Sequence, residues 1–111
     1  MASNIAQFET LRSIAFGSIT SSFTPIGNPF LNTLRMFRIV NNSDGDVFIS
    51  TDGINDQLFV PAGTFVLYDV AANSGIDSNF RIQAGTQFYV AYSSAPSKNS
   101  VYVEAIYGRG E

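Results

Sequence analysis

The sequence predicts an all-β chain folded as a sandwich or barrel of six to eight short antiparallel strands in two layers, and three observations carry that expectation. From about residue 33 onward, apolar residues recur with a period of two rather than 3.6. Turn residues interrupt the pattern every eight to twelve positions, as a succession of short strands requires. The length, 111 residues, fits one domain with one core, burying about 65% of the surface that the unfolded chain exposes.

Along the chain, Thr33 to Val40 (TLRMFRIV) reads as a strand ended by the turn cluster Asn41, Asn42, Ser43, Asp44 and Gly45, where Asp-Gly tolerates the left-handed backbone of a tight turn. Asp46 to Thr51 reads as the returning strand. A second Asp-Gly at Asp52 and Gly53, extended by Asn55 and Asp56, leads to the run Gln57 to Val60, so the three runs read as a meander. A weak echo follows at a spacing of 22 residues: Leu58 to Val70 (LFVPAGTFVLYDV) and Phe80 to Tyr92 (FRIQAGTQFYVAY) share Ala-Gly-Thr between two apolar runs. Each copy reads as a hairpin whose glycine, Gly63 or Gly85, supplies positive φ. Between them Ala71 to Ser78 reads as a loop, and Pro61 and Pro96 sit at turns, where proline breaks no ladder. The last run, Ser100 to Tyr107, sets Val101, Val103, Ala105 and Tyr107 against Tyr102, Glu104 and Ile106. Gly108 to Glu111 reads as a loosely held tail.

Residues 1–32 read differently, as an N-terminal arm with a possible edge strand ahead of a β-sandwich domain spanning residues 33–111. Ile5, Phe8, Leu11 and Arg12 suit a turn or two of amphipathic helix, and Ile14, Phe16, Ser18, Thr20 and Ser22 alternate like a strand with a polar second half. Pro25, Gly27, Asn28 and Pro29 then exclude regular structure. An arm so rich in apolar side chains must either cap its own domain or dock on a neighbour. The expectation is docking, with a domain lacking residues 1–16 remaining folded.

Composition removes much of enzymology. With no Cys and no His there is no thiol nucleophile, disulfide, imidazole base or zinc site of the usual kind. The serines lack a base to activate them, and no carboxylate pair is distinguished. The cluster Asp44, Asp46, Asp52, Asn55 and Asp56 is the best candidate for calcium, but Val47 stands where an EF-hand loop needs glycine, and two Asp-Gly turns explain the same residues. The chain is therefore expected to be no enzyme, with no catalytic, cofactor or metal residues and no cofactor. Net charge is −3, split as +2 over residues 1–40 (three Arg, one Glu) and −5 over residues 41–111 (two Arg and one Lys against eight acids). Without a basic stripe, nucleic-acid binding is not expected. No apolar run approaches the roughly 20 residues of a membrane-spanning helix and no signal peptide is evident, so a soluble protein made in the cytoplasm is expected.

Of the ten Phe and five Tyr, most of the Phe must be core, which leaves the tyrosines to be weighed as surface. Tyr89, beside Phe88 and Val90, and Tyr102, between Val101 and Val103, alternate with core positions and should point outward. A protein contact face is the reading of these tyrosines, with a receptor- or carbohydrate-binding face as the alternative. The candidate partner-binding residues are Ile5, Phe8, Phe16, Tyr89 and Tyr102.

The size, the absence of Cys and His, the Phe-rich segment before RMFRIVNNSDGDVFISTDG, and the paired FVPAGTFVLYDV and IQAGTQFYVAYSS runs together resemble the small capsid decoration, or staple, proteins of short-tailed double-stranded DNA bacteriophages of the epsilon-fifteen type. The resemblance spans essentially the whole chain but rests on no catalytic motif. It implies a jelly-roll-like fold on the outer surface of the virion, bridging neighbouring major capsid protein subunits and associating with itself as a dimer there. It supplies no active-site residues.

Overall fold

The computed structural model describes residues 4–69 and 82–110. Nine strands form among them: β1 (Asn4–Phe8), β2 (Arg12–Ala15), β3 (Thr24–Pro25), β4 (Leu34–Asn41), β5 (Val47–Ser50), β6 (Leu58–Val60), β7 (Thr64–Asp69), β8 (Tyr89–Tyr92) and β9 (Ser100–Gly110). They build two antiparallel sheets. The five-stranded sheet runs β1-β9-β4-β7, with β2 following β1 along the same strand β9, and the four-stranded sheet runs β3-β8-β5-β6. From β2 to β9 the chain changes sheet at every connection except β5 to β6, which gives the jelly-roll order β2-β9-β4-β7 over β3-β8-β5-β6. The fold is thus an all-β, two-layer sandwich. The strands beyond the expected six to eight come from residues 4–25.

β4 and β9 lie at the centre of the five-stranded sheet, and from Met36 onward β4 alternates between outward and inward residues. Phe37, Ile39 and Asn41 face inward opposite Ala105, Val103 and Val101, while Arg38 and Val40 face outward opposite Glu104 and Tyr102. The other layer contributes Val47, Ile49, Val60 and Val90 to the same core. Phe88 fills the middle, its ring centroid 5.1 Å from that of Phe37 and 5.6 Å from that of Phe30, the latter edge to face. Such pairs add about 0.5–1.5 kcal/mol each beyond area burial.

Three expected local arrangements are corrected. The runs 33–40, 46–51 and 57–60 are not one meander: β5 and β6 pair as a hairpin, Val47↔Val60 to Ile49↔Leu58, but β4 lies in the opposite sheet. Residues 41–46 form a corner held by buried Asn41, whose Nδ2 donates to the carbonyls of Gly45 (2.8 Å) and Val60 (2.9 Å), while its Oδ1 accepts from the amide and hydroxyl of Ser43. The two Ala-Gly-Thr segments are likewise corners between sheets, not hairpins. The first leads from β6 to β7, the second from Ile82, which bridges Leu34 of the five-stranded sheet, to β8. The echo is nonetheless physical. Thr64 donates its amide and hydroxyl to Pro61 O, Thr86 does the same to Gln83 O, and Gly63 and Gly85 both take positive φ. The expected loop Ala71 to Ser78 lies outside the described residues. The expected loose tail is strand instead: Gly108, Arg109 and Gly110 pair with Ala6, Ile5 and Asn4.

Residues 4–32 are part of the sandwich rather than an arm set apart from it, which corrects the boundary at residue 32. β1 and β2 pair with β9, the segment expected as helical turns runs through β1 to the start of β2, and Ile14, Ile19, Ile26 and Phe30 are buried in the common core. A buried ion pair fastens the segment. Arg12 Nη1 lies 3.2 Å from Glu9 Oε1, Nε and Nη2 donate at 3.0 Å to the carbonyls of Asn28 and Pro29, and the guanidinium sits 4.2 Å from the Phe30 ring centroid. Glu9 Oε2 accepts from the amide and Nδ2 of Asn32. Deletion of residues 1–16 would remove β1, β2 and this network together.

Candidate functional site

The strand register dictates an apolar outer surface on the five-stranded sheet. Residues alternating with the core on β1, β9, β4 and β7 include Phe8, Ile106, Met36, Val40, Leu67 and Phe65. Phe8 is 75% exposed, Phe65 56% and Leu67 54%. Phe8 and Leu67, from opposite sides of the sheet, line one shallow hollow of about 240 Å³ with Met36, Arg38, Glu104 and Ile106. Beside it, Phe8, Leu11, Arg38 and Glu104 border a second hollow of about 470 Å³. Monomeric proteins rarely expose contiguous apolar patches beyond a few hundred Å².

One ion pair interrupts this face. Arg38 and Glu104 stand directly opposite each other on the two central strands, with Arg38 Nε 2.6 Å from Glu104 Oε1, and both side chains are about two-fifths exposed. The hydrogen bond that Arg38 donates to Glu104 raises the Arg38 pKa above its ordinary value. The guanidinium also lies 5.3 Å from the Phe65 ring centroid. The charges are therefore held by a neighbour each, flanked by hydrocarbon.

The four-stranded sheet carries a smaller aromatic surface on the opposite side of the sandwich. Phe48 and Phe59 face each other across β5 and β6, outward of Val47, Ile49 and Val60, with ring centroids 5.3 Å apart. Phe59 is 48% exposed. Tyr89 follows on β8, its ring over Gly53, where a Cβ would come within 3.4 Å of it.

The sequence-derived candidates are thus distributed rather than gathered. Phe8 and Tyr102 share the outer face of the five-stranded sheet, Tyr89 lies on the opposite face, and Phe16, 40% exposed, begins a short 3-10 turn after β2. The side chain of Ile5 lies outside what the structure describes. Sequence reasoning missed Phe59, Phe65, Leu67 and the Arg38–Glu104 pair. The signal was the alternation of Phe65 and Leu67 with Val66 and Tyr68, obscured because all four are apolar.

The acidic loop residues separate into individual loop ties. Asp44 accepts from the amide and hydroxyl of Ser97 and the amide of Lys98, and Asp46 accepts from the amide of Ala62. Asp52 accepts from the amides of Ile54 and Asn55, the Asn55 side chain and the Ser50 hydroxyl. These bonds favour the carboxylates and lower the pKa values of Asp44, chiefly through Ser97, and of Asp52, chiefly through the Asn55 amide. Among the described residues, no three His, Cys, Asp or Glu stand close enough to hold a metal ion, and no helix is long and apolar enough to cross a membrane. Comparison with family models, with curated proteins and with solved structures finds no match for this chain.

Proposed function

We propose that this domain is a non-enzymatic virion structural protein, made in the host cytoplasm, that decorates the outer surface of a bacteriophage capsid and staples neighbouring major capsid subunits together. The observation that carries the reading is the pair of apolar outer faces on opposite sides of one sandwich: Phe8, Phe65 and Leu67 on one, Phe48, Phe59 and Tyr89 on the other. A staple must hold two bodies at once, and a two-layer sandwich with an adhesive surface on each layer can do so without moving parts. Aromatic anchors suit such contacts because a few large side chains dominate interface energy. The resemblance of the sequence to phage staple proteins supports the same reading.

A glycan-binding edge is less favoured, because the tyrosines do not gather in one place. Tyr68 stacks on Phe37 with centroids 5.4 Å apart, Tyr92 packs against the core, and Tyr89 and Tyr102 lie on different sheets. The test is co-sedimentation with capsid shells lacking the protein, run beside a glycan array. Retention on shells, weakened about tenfold or more by Phe59→Ser or Leu67→Ser, is expected. Glycan binding without shell retention would overturn the reading.

A further inference from the structure

We propose that the free edge of β7 takes up an extended segment of a major capsid subunit as an added strand, continuing the five-stranded sheet. Among the described residues β7 pairs with β4 alone. The direction of its backbone groups follows from the neighbouring ladder. The Asn42 amide donates to Ser100 O, so Val40 and Arg38, in step with Asn42, turn their amides and carbonyls toward β9, and Ile39 and Phe37 turn theirs toward β7. Val66 and Tyr68, opposite Ile39 and Phe37, bond back to β4. Phe65 and Leu67 therefore direct two amides and two carbonyls away from the sheet. The two residues stand about 7 Å apart along the strand, the spacing at which an antiparallel neighbour completes four hydrogen bonds.

Exposed edges are ordinarily blunted by a charge, a proline, a bulge or shortness. Residues 64–68 contain no charge and no proline, and the register with β4 runs without a shift from Asn41↔Thr64 to Met36↔Asp69. The other edges are blunted. β6 has three residues, β3 has two, the second of them Pro25, and the far edge of the five-stranded sheet is divided between β1 and β2 by Glu9, Thr10 and Leu11. Continuity identifies the occupant. The side chains of Phe65 and Leu67 stand on the adhesive outer face while their backbone groups line the edge, so the body that covers the face is within reach of the edge. The inference thus rests on the capsid-binding reading and adds the chemistry of the partner: an extended segment bound through its main chain, with apolar residues at the alternate positions that fall beside Phe65 and Leu67.

The test is amide hydrogen exchange at single-residue resolution on the full chain, free in dilute solution, free at about 200 µM, and bound to capsid shells lacking the protein. In the free protein Val66 and Tyr68 should exchange slowly and Phe65 and Leu67 fast. On shells Phe65 and Leu67 should slow by about a hundredfold or more, as ladder amides do. Leu67→Pro removes an edge amide that no strand of this chain uses, a position at which strands tolerate proline. It should bind shells about tenfold more weakly than Leu67→Ser, which loses the same side chain but keeps the amide. The exchange measurement, made on wild type, decides the matter whether or not the proline variant folds. Shells that hold the protein while both amides stay fast, or a Leu67→Pro protein that folds and binds as well as Leu67→Ser, would overturn the added strand and leave capsid binding standing. No retention on shells would overturn both. Slowing of both amides already in the concentrated free protein would assign the edge to a second copy and overturn the proposal as well.

Discussion

Replacing Arg12 by Met tests how residues 4–32 are held in the sandwich. Methionine preserves an apolar stem over Phe30 but removes the charge and every hydrogen bond of the guanidinium, including those to Glu9, Asn28 and Pro29. Glu9 is then left as a buried carboxylate with only Asn32 as partner, because its side chain is 3% exposed. Breaking one member of a buried pair costs about 3–5 kcal/mol. Against a total stability of about 5–15 kcal/mol for a domain of this kind, that is a fifth or more. Urea denaturation of wild type and variant should therefore show the midpoint falling by that share with the slope unchanged, and thermal unfolding should drop by about 10–20 °C. If the uncompensated charge is the main cost, Glu9→Gln combined with Arg12→Met should be less destabilised than Arg12→Met alone. A loss below about 1 kcal/mol for Arg12→Met, or a double variant worse than the single one, would refute the argument.

The corners offer sharper local tests. A Cβ at Gly45 would stand 2.2 Å from Ser94 O and 2.8 Å from Pro96 N, both backbone, so Gly45→Ala should cost about 1–3 kcal/mol, while Gly17→Ala, with open space around it, should stay within about 0.5 kcal/mol by the same chemical denaturation. Thr64→Val and Thr86→Val remove equivalent hydroxyl bonds at the two Ala-Gly-Thr corners and should each cost about 1 kcal/mol; clearly unequal losses would show that the two turns are not energetically alike. The pKa values of Asp44 and Asp52 are lowered in the folded protein, so the stability they contribute is full above the unfolded carboxylate value of about 3.9 and is lost as pH falls below it. The melting temperature should accordingly be level from pH 8 to about 5 and fall below about 4, with Asp52→Asn falling less steeply; a decline already complete by pH 5 would contradict this assignment.

Strand content was legible because alternation survives in the residues that build the centre of the sheet. Val101, Val103 and Ala105 are buried as their spacing requires, and Tyr102 and Glu104 face outward. Which sheet each strand joins was not legible, since a Gly turn between two apolar runs looks the same whether the chain folds back or crosses the core. The decisive groups lie elsewhere in the sequence: Asn41 bonds the carbonyl of Val60, and Gly85 donates its amide to Phe30 O. The edge strands β1 and β2, five and four residues long, were too short to show a period. Arg12 and Glu9 entered the charge balance of residues 1–40 with nothing to pair them, because their shared burial is visible only in the fold. The adhesive face was hidden for the opposite reason, because Phe65, Val66, Leu67 and Tyr68 are all apolar and show no inside or outside until β4 supplies the register.

Stapling makes a mechanical claim, so the most direct measurement is DNA release from phage heads on heating, with the protein absent and then added back. Heads carrying the wild-type chain should retain DNA to a higher temperature than bare heads, and the gain should shrink when Leu67→Ser or Phe59→Ser protein is supplied at the same concentration. Heads that bind the protein to saturation yet release DNA at the same temperature as bare heads would contradict the account.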